Sequence, residues 1–255
     1  MQFQAVPPLP LRERAGVRGN VSALSDVNED DDDFVEKEIE GVGRVLPDDG
    51  PFGRVLLPTA THAWELPLDV LPVPADWSAI YGRTAPLVVE IGCGGGRTVM
   101  TMATDHADWN CMGIERCGEY YRIMRDRAAR KQLANFRCGR IDAAYLIKRF
   151  FTDSSVHQYH IYFPDPWPKK KHLKRRLFQD SFCADLQRTL APTGTLYFAT
   201  DHKEYYSSIL PLLQRFFAVT EHPEPWEDAP LGRTNFEIKY MKAGRPIYRL
   251  FATKK

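Results

Sequence analysis

From residue 87 onward, short apolar runs alternate with longer amphipathic stretches, and this alternation restricts the possible folds more than any other feature of the chain. The short runs predict strands at 87–91, 111–114, 136–139, 157–163 and 195–199, and the longer stretches predict helices at 97–104, 118–133, 178–190 and 205–216. Strands that alternate with helices are typical of a parallel sheet with helices on both faces. The sequence therefore predicts an α/β fold.

The C-terminal part of the chain departs from this alternation. Segments 236–240 and 247–252 lie on either side of a Gly-Arg-Pro turn and predict an antiparallel pair of strands. Pro211 lies inside the last predicted helix and lacks a backbone donor, so we expect a kink or a break in that helix.

Charge divides the chain into an acidic extension and a basic remainder. Residues 1–50 hold 12 acidic and 5 basic side chains, whereas residues 51–255 hold 21 acidic and 29 basic side chains. The extension contains few large apolar residues, so burial cannot offset the entropy lost on ordering, and we expect it to be disordered. We expect residues 51–86 to form a lead-in segment and residues 87–255 to form the main domain.

The five cysteines show neither a C-x-x-C pair nor a spacing that pairs them with histidine. Their odd number and their spacing argue against a disulfide framework and a zinc site, and favour reduced thiols in the cytoplasm. The sequence also lacks a run of 18 apolar residues and a secretory signal pattern. We therefore expect a cytoplasmic protein without a membrane segment or a bound metal.

The sequence V-V-E-I-G-C-G-G-G-R at 88–97 places a glycine turn between a predicted strand and a predicted helix. Gly92 and Gly94 allow the backbone to turn tightly and to approach a ligand closely. Glu115 follows Gly96 by 19 residues, at the end of the next predicted strand. A carboxylate at that place can accept hydrogen bonds from both hydroxyls of an adenosine ribose, so the pattern predicts an adenosine-containing cofactor.

Two further acids refine this prediction. Glu90 precedes the glycine turn, where its carboxylate would repel a pyrophosphate but favour the cationic end of S-adenosylmethionine. Asp142 lies just beyond the third predicted strand and is placed to accept a hydrogen bond from the adenine amine. The acids therefore favour S-adenosylmethionine over a dinucleotide.

Residues 162–176 read Y-F-P-D-P-W-P-K-K-K-H-L-K-R-R and present one carboxylate, Asp165, in a proline-rich loop before a dense basic run. The three prolines exclude a helix interior or a central strand, so the loop should hold Asp165 and Trp167 at defined positions. A basic run alone is commonly solvated surface, but this one also suits a polyanion. Together the two features predict chemistry on a nucleic-acid base.

These motifs resemble those of the bacterial tRNA (guanine-N7-)-methyltransferases. The resemblance covers about residues 87–253 and rests on E-I-G-C-G-G-G at 90–96, G-I-E at 113–115, D-A at 142–143, P-D-P-W-P-K at 164–169, K-R-R at 174–176, T-D at 200–201 and T-N-F-E at 234–237. It implies a Rossmann-like class I methyltransferase domain with a seven-stranded, mostly parallel sheet and an antiparallel C-terminal strand. It also implies S-adenosylmethionine as methyl donor and tRNA as substrate. No obligate protein partner is inferred from the sequence.

The resemblance also implies roles for individual residues. Asp165 would be the catalytic residue and would also line the cofactor site. The other cofactor-binding residues would be Glu90, Gly92, Gly94, Glu115 and Asp142. The residues that contact the substrate would be Lys169, Asp201, Thr234, Asn235, Phe236 and Glu237.

The reaction itself limits what these residues need to do. Guanine N7 has a lone pair and no proton, so its methylation needs no general base and depends on positioning and on stabilisation of developing charge. Asp165 and Glu237 are both candidates to bind guanine N1–H and its 2-amino group, and Phe163 and Trp167 are both candidates to stack on the base. The basic stretches at 122–131 and 169–176 are expected to hold phosphates.

One segment differs from the family pattern. Bacterial members carry an R-R-x-G-R-like segment before the first strand, whereas residues 41–60 hold only Arg44 and Arg54 as arginines. This difference leaves open a class I methyltransferase that acts on another RNA, a protein or a small molecule. A non-catalytic RNA-binding relative is a third interpretation, but it predicts damage to the acidic motifs, and those motifs are intact.

Overall fold

A computed structural model describes residues 44–46, 55–57, 62–229 and 232–255. Its strands are β1 (Arg44–Leu46), β2 (Val55–Leu57), β3 (Leu87–Ile91), β4 (Asn110–Ile114), β5 (Phe136–Gly139), β6 (Val156–Tyr162), β7 (Leu190–Thr200), β8 (Phe217–Glu221) and β9 (Tyr248–Lys254). Its helices are α1 (Trp77–Tyr81), α2 (Arg97–Asp105), α3 (Gly118–Lys131), α4 (Ala143–Phe150), α5 (Asp180–Thr189), α6 (Lys203–Phe216) and α7 (Asn235–Lys242), and a 3-10 helix spans Lys170–Arg175.

Seven strands form one sheet in the order β5-β4-β3-β6-β7-β9-β8. Strands β3 to β7 pair in parallel with their neighbours in this order, whereas β9 runs antiparallel to both β7 and β8. This arrangement confirms the predicted seven-stranded, mostly parallel sheet with an antiparallel C-terminal strand. Strands β1 and β2 form a separate antiparallel pair.

Both faces of the sheet are covered, which explains why β3 reads as a continuous apolar run. Val89 belongs to the larger core under α4, α5 and α6, whereas its neighbour Val88 belongs to a second core under α2 and α3. The half of that second face above β6 and β7 is covered by the chain between β8 and β9, where Trp226 packs on Tyr162 and Ala199. This last region forms one wall of the candidate site.

The C-terminal prediction was wrong at several points. Residues 236–240 belong to the helix α7, and β9 pairs with β7 and β8 instead of with them. The helix forms because the Thr234 side chain accepts a hydrogen bond from the Glu237 backbone N–H at its N-terminus. Strand β8 and helix α4 were not predicted from the sequence at all.

Helix α6 continues through Pro211, so the expected alternative of a broken helix is wrong. Pro211 and Ser207, the residue four positions earlier, are both exposed to solvent. Water can therefore bind the Ser207 carbonyl that Pro211 leaves without a donor, which reduces the cost of a proline inside the helix.

Most of the acidic extension, including the run of acidic residues at 29–33, lies outside the described residues, and so does most of segment 41–60. The expected disorder of residues 1–50 therefore stays a prediction. Among the described residues, each helix is too short or too polar to cross a lipid bilayer.

Candidate active site

The predicted site residues meet at one edge of the sheet because the strands that precede them end in register. Ile91 at the end of β3 lies beside Ile114 of β4 and Ile161 of β6. Ile114 lies in turn beside Gly139 of β5, and Tyr162 of β6 lies beside Ala199 of β7. The segments that begin at Gly92, Glu115, Arg140, Phe163 and Asp201 therefore leave the sheet at the same edge, where parallel α/β sheets bind ligands.

The glycine turn is held by the carboxylate of Glu115. Its Oε2 accepts a hydrogen bond of 2.8 Å from the Gly94 backbone N–H, and its Oε1 accepts one of 2.7 Å from the Cys117 N–H. Gly92 and Gly94 have φ values of 68° and 53°, and a Cβ atom at either position would meet no atom within 4 Å. The turn therefore borders open space, and a ligand there can reach both its backbone and the remaining lone pairs of Glu115.

Glu90 lies beneath the glycine turn and is only 3% exposed. Its Oε2 accepts a hydrogen bond of 2.9 Å from the Val99 backbone N–H in the first turn of α2. Burial raises the pKa of Glu90 from 4.5 to about 8, and the negative charge of Glu115 acts in the same direction. A cation bound near Glu90 would relieve this cost by favouring the ionised carboxylate.

Asp142 is half-buried at the N-terminus of α4. Its Oδ1 accepts a hydrogen bond of 3.0 Å from the Tyr145 backbone N–H, so the carboxylate caps the helix. Within the described residues no cluster of three or more His, Cys, Asp or Glu side chains could hold a metal ion.

The proline-rich loop presents Asp165 between two residues with strained backbones. Phe163 has a φ of 51° and Trp167 has a φ of 39°, and such values are uncommon for residues with bulky side chains. The Asp165 side chain between them is exposed. Strain of this kind is typical of functional sites, where the surrounding structure holds a conformation that the local sequence disfavours.

Arg176 fixes this loop against α6. Its Nε donates a hydrogen bond of 2.8 Å to the Pro166 carbonyl, and its Nη1 donates one of 3.1 Å to the Ser208 hydroxyl. Its guanidinium also lies 4.8 Å from the ring centroid of Tyr205. Arg176 therefore contacts other groups of the protein. In contrast, four lysines of the basic run are exposed: Lys169, Lys170, Lys171 and Lys174.

Trp167 is half-buried by other members of the basic run. The Arg175 guanidinium lies 5.3 Å from the centroid of its indole, and the His172 ring meets it edge-on at 5.5 Å. Phe163 instead lies near two aromatic side chains of α7, at 6.2 Å from Phe236 and 5.5 Å from Tyr240. Because 52% of Phe236 is exposed, these three rings offer a better stacking surface beside Asp165 than Trp167 does.

The T-N-F-E segment turns its four side chains to different surroundings. Thr234 caps α7, and Asn235 is exposed and accepts a hydrogen bond of 3.1 Å from Arg97 at the start of α2. Glu237 is fully buried: its Oε1 pairs with Arg249 Nε at 2.7 Å, and its Oε2 accepts a hydrogen bond of 2.7 Å from the Arg233 backbone N–H. The Glu237 carboxylate has no exposed surface with which to contact a base in this conformation.

Asp201 follows β7 and is half-buried. Its Oδ2 lies 3.4 Å from the Arg245 Nη1, and the Arg245 guanidinium also lies 4.8 Å from the Tyr240 ring centroid. The contact joins the end of β7 to the segment after α7, beside the three rings. Lys169, which is exposed, directly precedes the 3-10 helix on the other side of Asp165.

Sequence reasoning missed Arg233, which connects the two halves of the site. Its Nη1 donates a hydrogen bond of 2.7 Å to the Tyr162 hydroxyl, and its carbonyl accepts one of 2.9 Å from the Thr98 hydroxyl in α2. Its guanidinium lies 4.5 Å from the Trp226 ring centroid and 4.9 Å from that of Tyr197. The spacing T-x-x-E at 234–237 is a capping-box signal that predicts a helix, and it could have revealed Arg233 at the helix entrance.

Comparison with known proteins identifies a family and individual relatives that this chain resembles. A family model described as "Putative methyltransferase" matches residues 84–250. A tRNA (guanine-N(7)-)-methyltransferase of Nitrosomonas eutropha is 36% identical over 200 residues, which cover 76% of this chain and 89% of that protein. A protein of the same name from Alkalilimnicola ehrlichii is 33% identical over 187 residues, which cover 71% of this chain and 78% of that protein.

Among solved structures, one described as an antibiotic-related methyltransferase is similar in fold. It has a TM-score of 0.50 and 16% sequence identity, and the match covers 70% of this chain and 92% of that chain. At this identity the similarity supports the fold alone.

Proposed function

The chain belongs to the tRNA (guanine-N7-)-methyltransferase family, and from this membership we propose that it transfers a methyl group from S-adenosylmethionine to N7 of a guanine in the variable loop of tRNA. The observation that carries the proposal is that the region matched by the family contains the residues that meet at one edge of the sheet. The family match at 84–250 spans the glycine turn, Glu115, the Asp165 loop and α7 together. A tRNA substrate supports a cytoplasmic location for the proposed activity.

The residues at the glycine turn fit S-adenosylmethionine. The open space beside Gly92 and Gly94 admits a ligand, and Glu115 keeps acceptor lone pairs for the ribose hydroxyls. A cation bound near the turn favours the ionised form of Glu90, whose negative charge then stabilises that cation. Asp142 keeps its second oxygen for a donor such as the adenine amine. When bound, the cofactor supplies a methyl group on a positively charged sulfur.

Asp165 has the position and the exposure to act on the guanine. Because N7 carries no proton, this chain has only to hold the base in line with the methyl group and to stabilise the positive charge that the base gains. The Asp165 carboxylate can do both, since it can accept hydrogen bonds from the base and its negative charge stabilises the positive charge that develops on the base. The buried carboxylate of Glu237 then has a structural role, and the rings of Phe163, Phe236 and Tyr240 support the base by stacking.

The direct test of this function is methyl transfer from labelled S-adenosylmethionine to unmodified bulk tRNA, followed by digestion and separation of the nucleosides. The proposal predicts label in 7-methylguanosine. Cofactor binding without label in tRNA would favour a methyltransferase with another acceptor. Label in a different nucleoside would contradict the assigned position on the base.

Asp165→Ala tests the proposed catalytic residue in the same assay. We expect methyl transfer to fall at least about 100-fold, which is typical when a group that stabilises transition-state charge is removed. Asp108→Ala is the matched control, because Asp108 is an equally exposed carboxylate that precedes β4 at the opposite edge of the sheet. Near-normal turnover by Asp165→Ala would remove Asp165 from the chemistry.

A further inference from the structure

A groove between α2 and α3 lies beside the N-terminus of α7 and, apart from Asn235, contains none of the individual site residues assigned above. Its volume is about 240 Å³, and its lining consists of Arg97, Met100, Thr101, Arg127, Lys131 and Asn235. Half of these side chains are cationic, and none of them is a carboxylate. The groove therefore has a net positive lining, in which the fold places Arg97 of α2 beside Arg127 and Lys131 of the basic stretch 122–131.

The two arginines of this groove are oriented by uncharged oxygens. Arg127 Nη1 donates a hydrogen bond of 2.6 Å to the Gly95 carbonyl, and Arg97 Nη1 donates one of 3.1 Å to Asn235 Oδ1. Among the ranges that the structure describes, no ion pair joins Arg97, Arg127 or Lys131 to a carboxylate. The guanidinium groups of Arg97 and Arg127 are thus held in place, and among the described residues no carboxylate neutralises the charge of either one.

The groove adjoins both halves of the proposed active site. Gly95 belongs to the glycine turn, and Asn235 belongs to the segment that precedes and begins α7. The next residue, Phe236, faces the Asp165 loop through Phe163. Consecutive residues of α7 therefore line the groove and the surface on which the guanine is proposed to stack.

We propose that this groove binds a backbone phosphate of the tRNA, next to the nucleotide that is methylated. This proposal rests on the function proposed above and assigns part of its substrate contact. With the exposed lysines at 169–174 beyond Asp165, the groove would place cations on both sides of the target nucleotide. Phosphates held on both sides fix the register of the strand, so that one guanine reaches Asp165.

A phosphodiester matches the chemistry of the lining better than the other ligands of this site do. Two guanidinium groups and an ammonium group offer several N–H donors and three positive charges, which favour an anion over the adenine amine or a cationic group. Guanidinium donors have the planar geometry that binds phosphate oxygens in pairs. The groove is also open to solvent beside the N-terminus of α7, as the binding of a continuous RNA strand requires.

Lys131→Gln and Arg97→Gln test the proposal in the full-length protein, with binding to an unmodified tRNA measured over a range of salt concentrations. Each phosphate contact contributes about 0.7–0.9 to the slope of log Kd against log salt, so each variant should lower that slope by this amount. Affinity should fall about five-fold at about 0.15 M salt. The Kd for S-adenosylmethionine should not change, because neither side chain contacts the proposed cofactor residues.

Lys148→Gln is the matched control. Lys148, like Lys131, is an exposed lysine in the last turn of a helix, but α4 lies on the opposite face of the sheet. The slope for this variant should equal that of the wild type. Ethylation interference on the tRNA gives a second reading: one phosphate whose ethylation blocks wild-type binding should lose this effect in both groove variants.

Three results would overturn the proposal. The first is a wild-type slope in both groove variants, and the second is an equal loss for Lys148→Gln, since Lys148 lies on the opposite face of the sheet and does not line the groove. Either result, in a protein that still methylates tRNA, rejects the groove and leaves the proposed function intact. A wild-type protein that neither binds nor methylates tRNA would reject both.

Discussion

Glu90 is the residue whose chemistry depends most on its surroundings. In the sequence it is one acid before a glycine turn, but in the fold it is a buried carboxyl whose pKa is raised to about 8, first by burial and then by Glu115. In the unfolded chain the group titrates near its ordinary value of 4.5. Between these two pH values the folded protein retains a proton that the unfolded chain has released.

This difference fixes the sign of a pH dependence. The contribution of Glu90 to folding stability is fully present below pH 4.5 and is lost as the pH rises through about 8. Glu90→Gln should flatten this decline, which has a limiting slope of about 1.4 kcal/mol per pH unit. Urea unfolding of both proteins at several pH values measures the slope, and parallel curves would contradict the assigned pKa.

Glu90→Gln also gives a test at the level of the ligand. Because a cation favours the ionised carboxylate, S-adenosylmethionine binding near neutral pH should release a proton from Glu90. Titration calorimetry in buffers of different ionisation enthalpy counts the protons released. The wild-type protein should release more than the Gln variant, and equal release would separate Glu90 from the cofactor.

His160 responds to pH in the opposite direction. Burial, followed by the positive charge of Arg233, holds the pKa of its ring well below its ordinary value of 6.5. The unfolded chain therefore binds more protons below pH 6.5, so the stability that His160 contributes is lost as the pH falls below that value. The two buried groups, which are neighbours in the sheet, thus lower the stability of the fold at opposite ends of the pH range: His160 at acidic pH and Glu90 at basic pH.

At the level of elements, α7 determines how the site is assembled. Its N-terminus contacts α2 through Asn235 and Arg97, and its rings contact the Asp165 loop through Phe163. The helix is fixed at its base by the Glu237–Arg249 ion pair, in which the two side chains are 0% and 4% exposed. A change in this pair should therefore affect the stability of the fold before it affects the chemistry.

Glu237→Gln tests this structural role. The change leaves the buried Arg249 without its counter-charge, so the free energy of unfolding should fall by about 3–5 kcal/mol. Thr234→Ala, which removes only the helix cap, should cost about 1 kcal/mol. Glu224→Gln, an exposed carboxylate in the segment before α7, is the control and should leave stability unchanged.

Chemical denaturation together with methyl transfer distinguishes the two roles of Glu237. A stable Glu237→Gln protein with a large loss of kcat would mean that Glu237 contacts the substrate, as the family resemblance implies. A destabilised protein whose remaining folded fraction keeps its kcat would assign Glu237 to the structure.

At the level of the whole molecule, the acidic extension and the basic domain are expected to be independent in folding. Apart from β1, which pairs with β2 of the lead-in segment, the residues of the extension lie outside the described ranges. Deletion of residues 1–40 should leave the Tm unchanged if the extension is disordered, because no packing is lost. Thermal unfolding of the full and the shortened chains measures this, and a large fall in Tm would show that the extension packs on the domain.

The sequence by itself determined the α/β class, the position of the central strands and the acids at their ends. These features depend on local patterns: β3 is a continuous apolar run, and the glycine turn and Asp165 follow directly after their strands. Strands that run parallel end at one edge, so the spacing also indicated that Glu115, Asp142 and Asp165 share a site.

Only the tertiary structure decided the C-terminal third of the site. Residues 236–240 have an apolar pattern that fits a strand, whereas the T-x-x-E spacing at 234–237 fits the start of a helix. The buried Glu237–Arg249 pair decides between these local signals in favour of the helix. The partner of Glu237 lies 12 residues away, and the Arg233 contact with Tyr162 spans 71 residues, so no local pattern encodes either. Long-range packing also gives Arg176, which fixes the loop, a different role from the exposed lysines near it. Burial distinguishes these residues, and residue type does not.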